Sequence, residues 1–213
     1  MKQSNPLFIT IEGGEGSGKT THSFRLKEYL ENKGFPVILT REPGGTVLAE
    51  SIRKIILEPD SNLVPLSELL LYEAARAQHI QEIILPALRS GKAVICDRFT
   101  DATVAYQGYG RKLDLALIQK LNGAASFGLK PLITIYLDIN PDLGVNKAKE
   151  LDKESYGKSG DRIERESLNF HKAVRKGYLA LAKKYPKRIK IIKTNPDVNK
   201  TWGLIKKEID ERI

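Results

Sequence analysis

The sequence predicts an α/β fold in which a five-stranded parallel sheet is covered by helices on both faces. Five short apolar segments alternate with segments whose apolar residues recur at helical spacing. Apolar runs of this kind are typical of parallel strands, because the crossover helices cover both faces of the sheet. A glycine-rich loop, Gly13–Thr20, separates the first strand from the first helix and adds a phosphate-binding pattern.

The strand predictions rest on composition. Each segment consists mainly of isoleucine, leucine, valine and threonine, and β-branched residues favour extended backbone. Asp97 and Asp138 directly follow two of these segments, at the sheet edge where α/β proteins bind ligands. The predicted strands cover residues 7–11, 37–40, 93–96, 132–137 and 189–192.

The helix predictions rest on apolar residues spaced three and four apart. The first helix stops at Gly34, a residue type that readily ends helices, and Pro86 is expected to kink or end the third helix. The polar segment 151–160, with two glycines, predicts a flexible loop. The predicted helices cover residues 20–32, 47–57, 67–88, 115–121, about 142–149, 162–185 and 198–209.

Composition limits the domain organisation and the compartment. With 213 residues, 41% of them hydrophobic, the chain can build one sizeable core, and it carries no linker composition or internal repeat. We therefore expect one domain, residues 1–213, with a mobile lid at about 143–165. No signal-peptide pattern is present, and no apolar run approaches the roughly 20 residues that cross a bilayer. The single cysteine, Cys96, fits a reducing cytoplasm, so we expect a cytoplasmic protein with no membrane partner.

The net charge of +9 permits two interpretations. A basic chain can bind nucleic acid. Its lysines, however, are spread through helices among acidic residues, and no basic stripe interleaved with aromatic residues is present. A positive field also steers polyphosphate substrates toward a protein. We favour that second interpretation and expect no nucleic-acid partner.

The loop Gly13–Thr20 reads G-x-x-x-x-G-K-T, the P-loop motif. Its glycines let backbone N–H groups surround phosphate oxygens, and the following helix contributes its partial positive charge. Lys19 can reach the β- and γ-phosphates, and the Thr20 hydroxyl can ligate Mg²⁺. A chance glycine-rich turn is the alternative, but the flanking strand and helix favour nucleotide binding. The motif and the parallel sheet together predict a P-loop NTPase-type fold that binds a nucleoside triphosphate with Mg²⁺.

The turn Arg41–Thr46 follows the second strand and contains one proline and two glycines. Arg41 would lie at the ligand edge of the sheet, where a guanidinium can bind a phosphate with two hydrogen bonds. The local sequence supports equally well a surface arginine beside a turn, so both interpretations stay open.

Asp97-Arg98 closes the third strand. A carboxylate at this position commonly supports Mg²⁺ in P-loop enzymes, and the arginine beside it can hold a second phosphate. A structural Asp–Arg pair is the alternative. The position at a strand end in a phosphate-binding sheet favours the functional interpretation.

Tyr72 and Arg76 are four residues apart and therefore share one helix face. An aromatic ring that stacks and a guanidinium that donates to a carbonyl can together bind a nucleobase. On spacing alone, however, a core tyrosine and a solvated arginine are the favoured interpretation, because such pairs occur on ordinary helices.

Taken together, these segments resemble bacterial thymidylate kinases, a family of P-loop nucleoside monophosphate kinases. The resemblance runs from about Leu7 to the last helix with every motif in order, which makes it far more specific than a P-loop alone. The segments that carry it are Gly13–Thr20 with Glu15 inside it, Arg41–Thr46, Tyr72–Gln78, Asp97–Phe99, Ala105–Gly108 and Asp161–Glu164.

The resemblance implies that the γ-phosphoryl group of ATP is transferred to dTMP, giving dTDP for dTTP biosynthesis. It further implies Mg²⁺ as cofactor, held by Thr20 with Asp97 in support, and a homodimer as the assembly. Catalytic roles fall to Lys19, Arg98 and, in the lid, Arg162. The ATP-binding residues would be Gly13, Gly14, Glu15, Gly16, Ser17, Gly18, Lys19 and Thr20.

The resemblance also assigns the phosphate and sugar of dTMP. Arg41 and Arg98 would grip the acceptor phosphate, while Glu15 would face the 3′-hydroxyl side of the sugar. Tyr106 would press on the deoxyribose where a 2′-hydroxyl would sit, and so would favour a deoxynucleotide.

For the base, Tyr72 would stack on thymine and Arg76 would read its carbonyl. Thr103 and Gln107 complete the implied dTMP-binding set. This chain carries Ala102 before Thr103, where many members of the family carry serine. Thr103 can still hydrogen-bond the base, whereas Ala102 cannot.

The implied lid departs from the family in its cations. The lid helix often carries arginines where this chain has lysines, which lack the two-pronged geometry of a guanidinium. The polar loop 151–160 is also longer than in compact members. These differences leave open which cation acts on the transferring phosphoryl group: Lys147, Lys149, Lys153, Lys158 or Arg162.

Three rival functions remain. Another monophosphate or deoxynucleoside kinase of similar fold is the nearest, but Tyr72, Arg76 and Tyr106 favour a pyrimidine deoxynucleotide. A P-loop ATPase or switch acting on a macromolecule would leave the Arg41–Thr46 and Asp97–Gln107 segments without a role. A nucleotide-binding module without catalysis would need a broken P-loop, and this loop is intact.

Overall fold

The computed structural model describes residues 7–147 and 161–213. Within these ranges a five-stranded parallel sheet forms the centre, with strand order β2-β3-β1-β4-β5. The predicted α/β class with five parallel strands is confirmed. The strands are β1 (Phe8–Gly13), β2 (Val37–Arg41), β3 (Ala93–Asp97), β4 (Ile133–Asp138) and β5 (Ile189–Lys193).

The strand register brings the predicted chemistry to one edge of the sheet. Arg41 of β2 pairs with Asp97 of β3, and Asp97 pairs in turn with Ile11 of β1. On the other side, Gly13 pairs with Leu137 of β4. Since all strands run in parallel, the start of the P-loop and the ends of β2, β3 and β4 lie together at the carboxyl edge.

The helices alternate with the strands as predicted. Thr46 and Ser167 cap two of them by accepting hydrogen bonds from backbone N–H groups of the first turn, as side chains at helix starts commonly do. The helices are α1 (Lys19–Asn32), α2 (Val47–Leu57), α3 (Pro65–His79), α4 (Leu85–Arg89), α5 (Thr100–Thr103), α6 (Leu115–Ala125), α7 (residues 141–147), α8 (Leu168–Lys184) and α9 (Val198–Asp210).

Apolar clusters cover both faces of the sheet. One cluster joins Ile9 and Ile135 to Leu26 of α1 and Ile205 of α9. Other clusters lie where α4, α5 and α8 pack, and Phe8 meets Phe99 edge to face at 5.0 Å between ring centroids. Cys96 is fully buried. A fully buried isoleucine, leucine or phenylalanine side chain contributes about 1.5–3 kcal/mol, so the two apolar layers hold the sheet edge in a fixed geometry.

The predicted helix 67–88 extends from residue 65 to residue 89 and contains a π-helical turn, Ile80–Ile84, between α3 and α4. The expectation that Pro86 ends the helix is wrong, because α4 continues past it to Arg89. Pro86 lies in the first turn of α4, directly after the widened turn, where the backbone N–H that proline lacks is less needed.

Two helix predictions were incomplete. Residues 161–167 form turns rather than the start of a helix, because the Asp161 carboxylate accepts hydrogen bonds from the backbone N–H groups of Ile163 and Glu164. In addition, the sequence patterns did not predict the helical stretch formed by α5 and the π-helix that follows it, Val104–Gly110. Glycine and threonine have low helix propensity, so this stretch lacks a clear helical pattern in the sequence. Packing against α8 stabilises the stretch.

The predicted lid at about 143–165 falls largely on residues 148–160, which lie outside the described residues. The same holds for the predicted loop 151–160 and for the end of the predicted helix 142–149. The described flanks are α7 and the turns at 161–167.

Candidate active site

A cleft of about 220 Å³ opens at the carboxyl edge of the sheet. It is bounded by the P-loop, the ends of β2 and β3, and helices α3 and α5 with the π-helix after it. Most residues predicted for the donor and acceptor sites line this single cleft: Glu15, Lys19, Thr20, Arg41, Tyr72, Arg76, Asp97, Arg98, Thr103, Tyr106 and Gln107.

The P-loop has the tight geometry that phosphate binding requires. Gly16 and Gly18 adopt left-handed φ angles of 64° and 87°, which L side chains rarely adopt. Lys19 donates from Nζ to the Gly14 carbonyl at 3.0 Å, so its ammonium lies over the loop. Burial, and after it the neighbouring Arg98, lower the pKa of Lys19. An anionic phosphate in the loop would raise the pKa of Lys19 again.

Helix α7 packs directly on the back of this loop. A Cβ atom on Gly144 would lie 2.4 Å from the Glu15 carbonyl oxygen, and one on Gly16 would lie 2.3 Å from the Gly144 carbonyl oxygen. The two backbones therefore approach more closely than any larger residue allows. The described helix that precedes the predicted lid is thus in contact with the phosphate-binding loop.

Arg98 and Glu15 form an ion pair at the centre of the cleft. Arg98 Nη2 donates to Glu15 Oε1 at 2.7 Å, and the Tyr106 hydroxyl donates to the same oxygen at 3.2 Å. The guanidinium also lies 4.8 Å from the Tyr106 ring centroid. Burial acts to raise the pKa of Glu15, but Arg98 and Lys19 outweigh it and hold the pKa at about 2.

One polar atom of Arg98 and one of the adjacent Asp97 lack hydrogen-bond partners among the described residues. Asp97 Oδ1 and Arg98 Nη1 are buried and, within the described ranges, make no hydrogen bond. Unpaired buried polar atoms are costly, so their presence indicates a ligand site. A carboxylate oxygen in a cleft that Thr20 also lines suits Mg²⁺, and an unpaired guanidinium nitrogen suits a phosphate.

Arg76 is buried, not solvated. Its Nε donates to Glu42 at 2.8 Å, its Nη1 donates to Glu73 and Asn122 at 2.9 and 2.8 Å, and its Nη2 donates to Thr103 at 2.9 Å. The interpretation favoured by spacing alone was therefore wrong for Arg76. Burial opposes its charge, but Glu42 and Glu73 outweigh burial and raise the pKa of the guanidinium.

Tyr72 lies half-buried beside Arg76 in the cleft wall, and burial raises the pKa of its hydroxyl, so it stays neutral. The opposite wall is formed by the helical stretch that sequence patterns missed. Thr103 accepts from Arg76, and Gln107 donates to Glu68 at 2.8 Å. These hydrogen bonds fix the orientation of the wall.

The comparisons with known proteins agree with this geometry. A family model described as Thymidylate kinase matches residues 11–205 of the chain. The chain belongs to the thymidylate kinase family.

Relatives and a solved structure support the assignment over the whole length. The chain is 48% identical over 208 residues to a thymidylate kinase of Citrifermentans bemidjiense, covering 97% of this chain and 92% of that protein. It is 51% identical over 190 residues to a thymidylate kinase of Syntrophotalea carbinolica, covering 89% and 88%. The crystal structure of thymidylate kinase from Ehrlichia chaffeensis matches with a TM-score of 0.77 and 39% identity, covering 97% and 99%.

Arg41 and Arg162, which the thymidylate kinase resemblance assigns to the site, are less integrated in the cleft than the other assigned residues. Arg41 lines the cleft but is more than half exposed, and it pairs with Glu50 at 3.1 Å. Arg162 lies outside the residues that line the cleft. It donates to Glu68 at 2.6 Å and to the Ile56 carbonyl at 2.8 Å. Its role in catalysis stays a prediction.

The site also contains residues that the sequence patterns did not single out. Glu42 and Glu68 hold the cleft walls, and Arg53 lines the cleft while donating to the Pro43 carbonyl at 3.0 Å. Glu12 lies beneath the cleft and is fully buried in β1. A charged residue inside an apolar strand or helix face was the available signal, because burying such a group requires fixed partners.

Proposed function

We propose that this chain transfers the γ-phosphoryl group of ATP to dTMP, giving ADP and dTDP, with Mg²⁺ as cofactor. The carrying observation is that a P-loop and the Asp97-Arg98 pair share one cleft in a thymidylate kinase family member, and that each residue of the pair has a buried polar atom without a partner among the described residues. The reaction belongs to dTTP biosynthesis, and the catalytic unit is the whole chain with a lid at about 143–165.

On the donor side, the eight loop residues Gly13–Thr20 bind the phosphates of ATP. Their backbone N–H groups and the start of α1 supply positive potential to the anionic oxygens. Lys19 lies over the loop, within reach of the bridging and transferring oxygens. Thr20 and Asp97 would hold Mg²⁺, which would neutralise charge on the phosphates of ATP.

On the acceptor side, Arg98 and Arg41 bind the phosphate of dTMP. Arg98 offers its unpaired Nη1 to the phosphate while Nη2 stays on Glu15, so the guanidinium is oriented before substrate arrives. Tyr106 packs on the same guanidinium and occupies the sugar side of the cleft. Glu15 faces the 3′-hydroxyl, and the position of Tyr106 favours deoxyribose.

The base lies between Tyr72 and the wall that carries Thr103 and Gln107. Arg76 donates to a thymine carbonyl, and its hydrogen bonds to Glu42 and Thr103 keep the guanidinium from rotating away. A buried arginine that is held by several partners discriminates between nucleobases, because its guanidinium cannot reorient to suit a different base.

Catalysis comes from positioning and charge. The acceptor is a phosphate that is mostly dianionic near neutral pH, since its second pKa is about 6, so no general base is required. An acceptor oxygen attacks the γ-phosphorus in line as the bond to the β-phosphate oxygen breaks, and ADP leaves. Lys19, Arg98 and a lid cation stabilise the charge on the transferring group.

The lid cation is one of five side chains. Arg162 is described and paired with Glu68, and Lys147 is described and exposed on α7. Lys149, Lys153 and Lys158 lie outside the described residues. Release of Arg162 from Glu68 is one route by which a guanidinium reaches the cleft, and closure over the phosphates would exclude water.

We further infer a homodimer. Three neighbouring helices, α2, α3 and α6, carry large apolar side chains that are well exposed, more than a monomer needs on one side. The side chains concerned are Leu48, Ile55, Leu66, Leu70, Leu115 and Leu117.

Cytoplasmic location is also part of the proposal. In the described ranges no helix is long and apolar enough to cross a membrane. The buried free thiol of Cys96 suits a reducing compartment. We expect neither a membrane nor a nucleic-acid partner for this activity.

The proposal is tested by ADP release from ATP and Mg²⁺ with dTMP, dUMP, dCMP, UMP, dGMP or AMP supplied in turn. We expect strong turnover with dTMP and weaker turnover with dUMP, which lacks one methyl group worth about 1–3 kcal/mol. Activity should vanish on chelation of Mg²⁺. Turnover without an acceptor, or with purine nucleotides alone, would overturn the proposal.

A further inference from the structure

Arg98 is held in an unusual backbone conformation. Its φ angle is 69°, in the left-handed region that non-glycine residues rarely enter. Directly before it, Asp97 ends β3, and directly after it, Phe99 is fully buried against Phe8. The left-handed turn is therefore what directs the Arg98 side chain to Glu15 and Tyr106 in the cleft. Non-glycine residues keep such a conformation when surrounding contacts enforce it.

The contacts that enforce it come from β1. The Arg98 N–H donates to the Ile11 carbonyl at 2.9 Å, as a continuation of the sheet ladder. The next N–H, that of Phe99, has left the ladder and donates to Glu12 Oε1 at 2.7 Å. A side chain thus replaces the backbone acceptor at the point where the chain turns. The peptide groups on both sides of Arg98 are fixed.

Glu12 is itself held firmly. It is fully buried in the central strand, and its second oxygen, Oε2, accepts from the Tyr178 hydroxyl at 2.7 Å. Burial raises the pKa of Glu12 to about 8, with Asp101 adding to the effect. A buried acidic group that makes no ion pair with any described residue is expensive for a core, which indicates that it serves the turn.

We propose that Glu12 is a positioning residue for phosphoryl transfer, which holds the left-handed turn at Arg98 and thereby aims the guanidinium at the acceptor phosphate. This inference rests on the proposed role of Arg98 in binding dTMP. Glu12 itself touches neither substrate. Without its oxygen, the Phe99 N–H is buried and unpaired, and the turn can relax to a negative φ that carries Arg98 away from Glu15.

The test is a double-mutant cycle of Glu12→Ala and Arg98→Ala, with KM for dTMP, KM for ATP, kcat and the Kd of dTMP measured without ATP. Glu12→Ala should weaken dTMP binding by about tenfold or more while KM for ATP changes less than twofold. The double variant should be no worse than Arg98→Ala alone, because both changes remove one oriented guanidinium.

Two further variants separate positioning from stability. Glu12→Gln keeps an oxygen for the Phe99 N–H and an amide for Tyr178, so it should bind dTMP nearly as wild type does. Tyr178→Phe removes only the second hydrogen bond and should leave KM for dTMP near its wild-type value. If Glu12→Ala does not fold, Glu12→Asp replaces it, since the shorter side chain cannot reach Phe99 from the same backbone.

Each outcome decides between the two proposals. Multiplicative effects of Glu12→Ala and Arg98→Ala, or equal losses for dTMP and ATP, would overturn the role of Glu12 while leaving that of Arg98 intact. A Glu12→Gln variant as poor as Glu12→Ala would do the same. If Arg98→Ala alone leaves dTMP binding and kcat unchanged, the proposed function of Arg98 fails and this inference fails with it.

Discussion

Lys19 shows how one side chain can depend on its ligand. In the structure its ammonium lies 3.0 Å from the Gly14 carbonyl and close to Arg98, and burial lowers its pKa. Such a cation is poorly satisfied until phosphate oxygens arrive, so its interaction energy is available for catalysis rather than for folding. The same reasoning applies to the unpaired Arg98 Nη1.

We therefore expect Lys19→Ala to lower kcat by on the order of 10²–10³-fold, because a donor to the transferring group is lost. The folded state should be almost unaffected, since Lys19 donates only one hydrogen bond to the loop. Steady-state kinetics and a thermal melt of the same preparation measure both effects. Normal turnover in this variant would remove the P-loop from the mechanism.

Glu15 gives a prediction about pH. Its pKa is about 2 in the folded chain, because Arg98 and Lys19 outweigh the effect of burial, whereas an unfolded glutamate titrates near 4.5. Between these values the unfolded state binds the extra proton, so the stability that Glu15 contributes is present above pH 4.5 and is lost as pH falls toward 2. The free energy of unfolding of Glu15→Gln should lack this component. Urea titrations from pH 3 to pH 7 should show the two proteins converging in acid, and parallel curves would contradict the assignment.

At the scale of elements, the contact between α7 and the P-loop is a packing constraint. Because a Cβ on Gly144 would meet the Glu15 carbonyl oxygen at 2.4 Å, Gly144→Ala must displace either the helix or the loop. We expect it to lower kcat/KM for ATP by about tenfold, since small displacements of positioning groups are costly. Gly123→Ala in α6 is the control, because nothing lies within 4 Å of its added methyl group.

Gly123→Ala should leave the kinetics unchanged and stabilise α6 slightly, since alanine favours the helix. Equal kinetic effects of the two substitutions would show that the α7 contact does not matter for ATP. Initial rates at varied ATP concentration and a thermal melting curve for each of the two variants measure these effects.

The elements also show what sequence patterns can predict. Strands and long helices were predictable because their apolar periodicity matches how they are buried. The stretch Thr100–Gly110 was missed because its helix depends on packing against α8, where Gly177 leaves room for Tyr109. The start of α8 was misplaced because a local hydrogen-bonding turn at Asp161 competes with the helix.

Some residues of the candidate site were likewise predictable from the sequence, and others were not. The P-loop and Asp97-Arg98 were predictable from local motifs, since their chemistry lies in consecutive residues. The buried state of Arg76 was not, because Glu42 and Asn122, which bind it, are distant in sequence. Nor does any local pattern indicate that Glu12 reaches Phe99 across the sheet.

At the scale of the whole molecule, the two sides of the sheet differ in how they meet solvent. Helices α2, α3 and α6 expose large apolar side chains together on neighbouring elements, whereas Leu204 on α9 lies on the side covered by α1 and α9. Association through the first group would bury apolar area without blocking the P-loop, which lies at the carboxyl edge of the sheet.

Leu70 and Leu204 make a matched pair for testing the dimer, because their exposed fractions are 48% and 49%. A glutamate at position 70 would place a charge in the proposed interface, whereas one at position 204 would remain in water. We expect Leu70→Glu to sediment at the 23.8 kDa of one chain, while wild type and Leu204→Glu sediment at twice that mass. If both variants stay dimeric, the interface lies on another face, and if wild type is itself monomeric at micromolar concentration, the exposed apolar helices do not mediate self-association. Retained dTMP turnover in monomeric Leu70→Glu would further show that each cleft is complete within one chain, as the lining residues of the cleft imply.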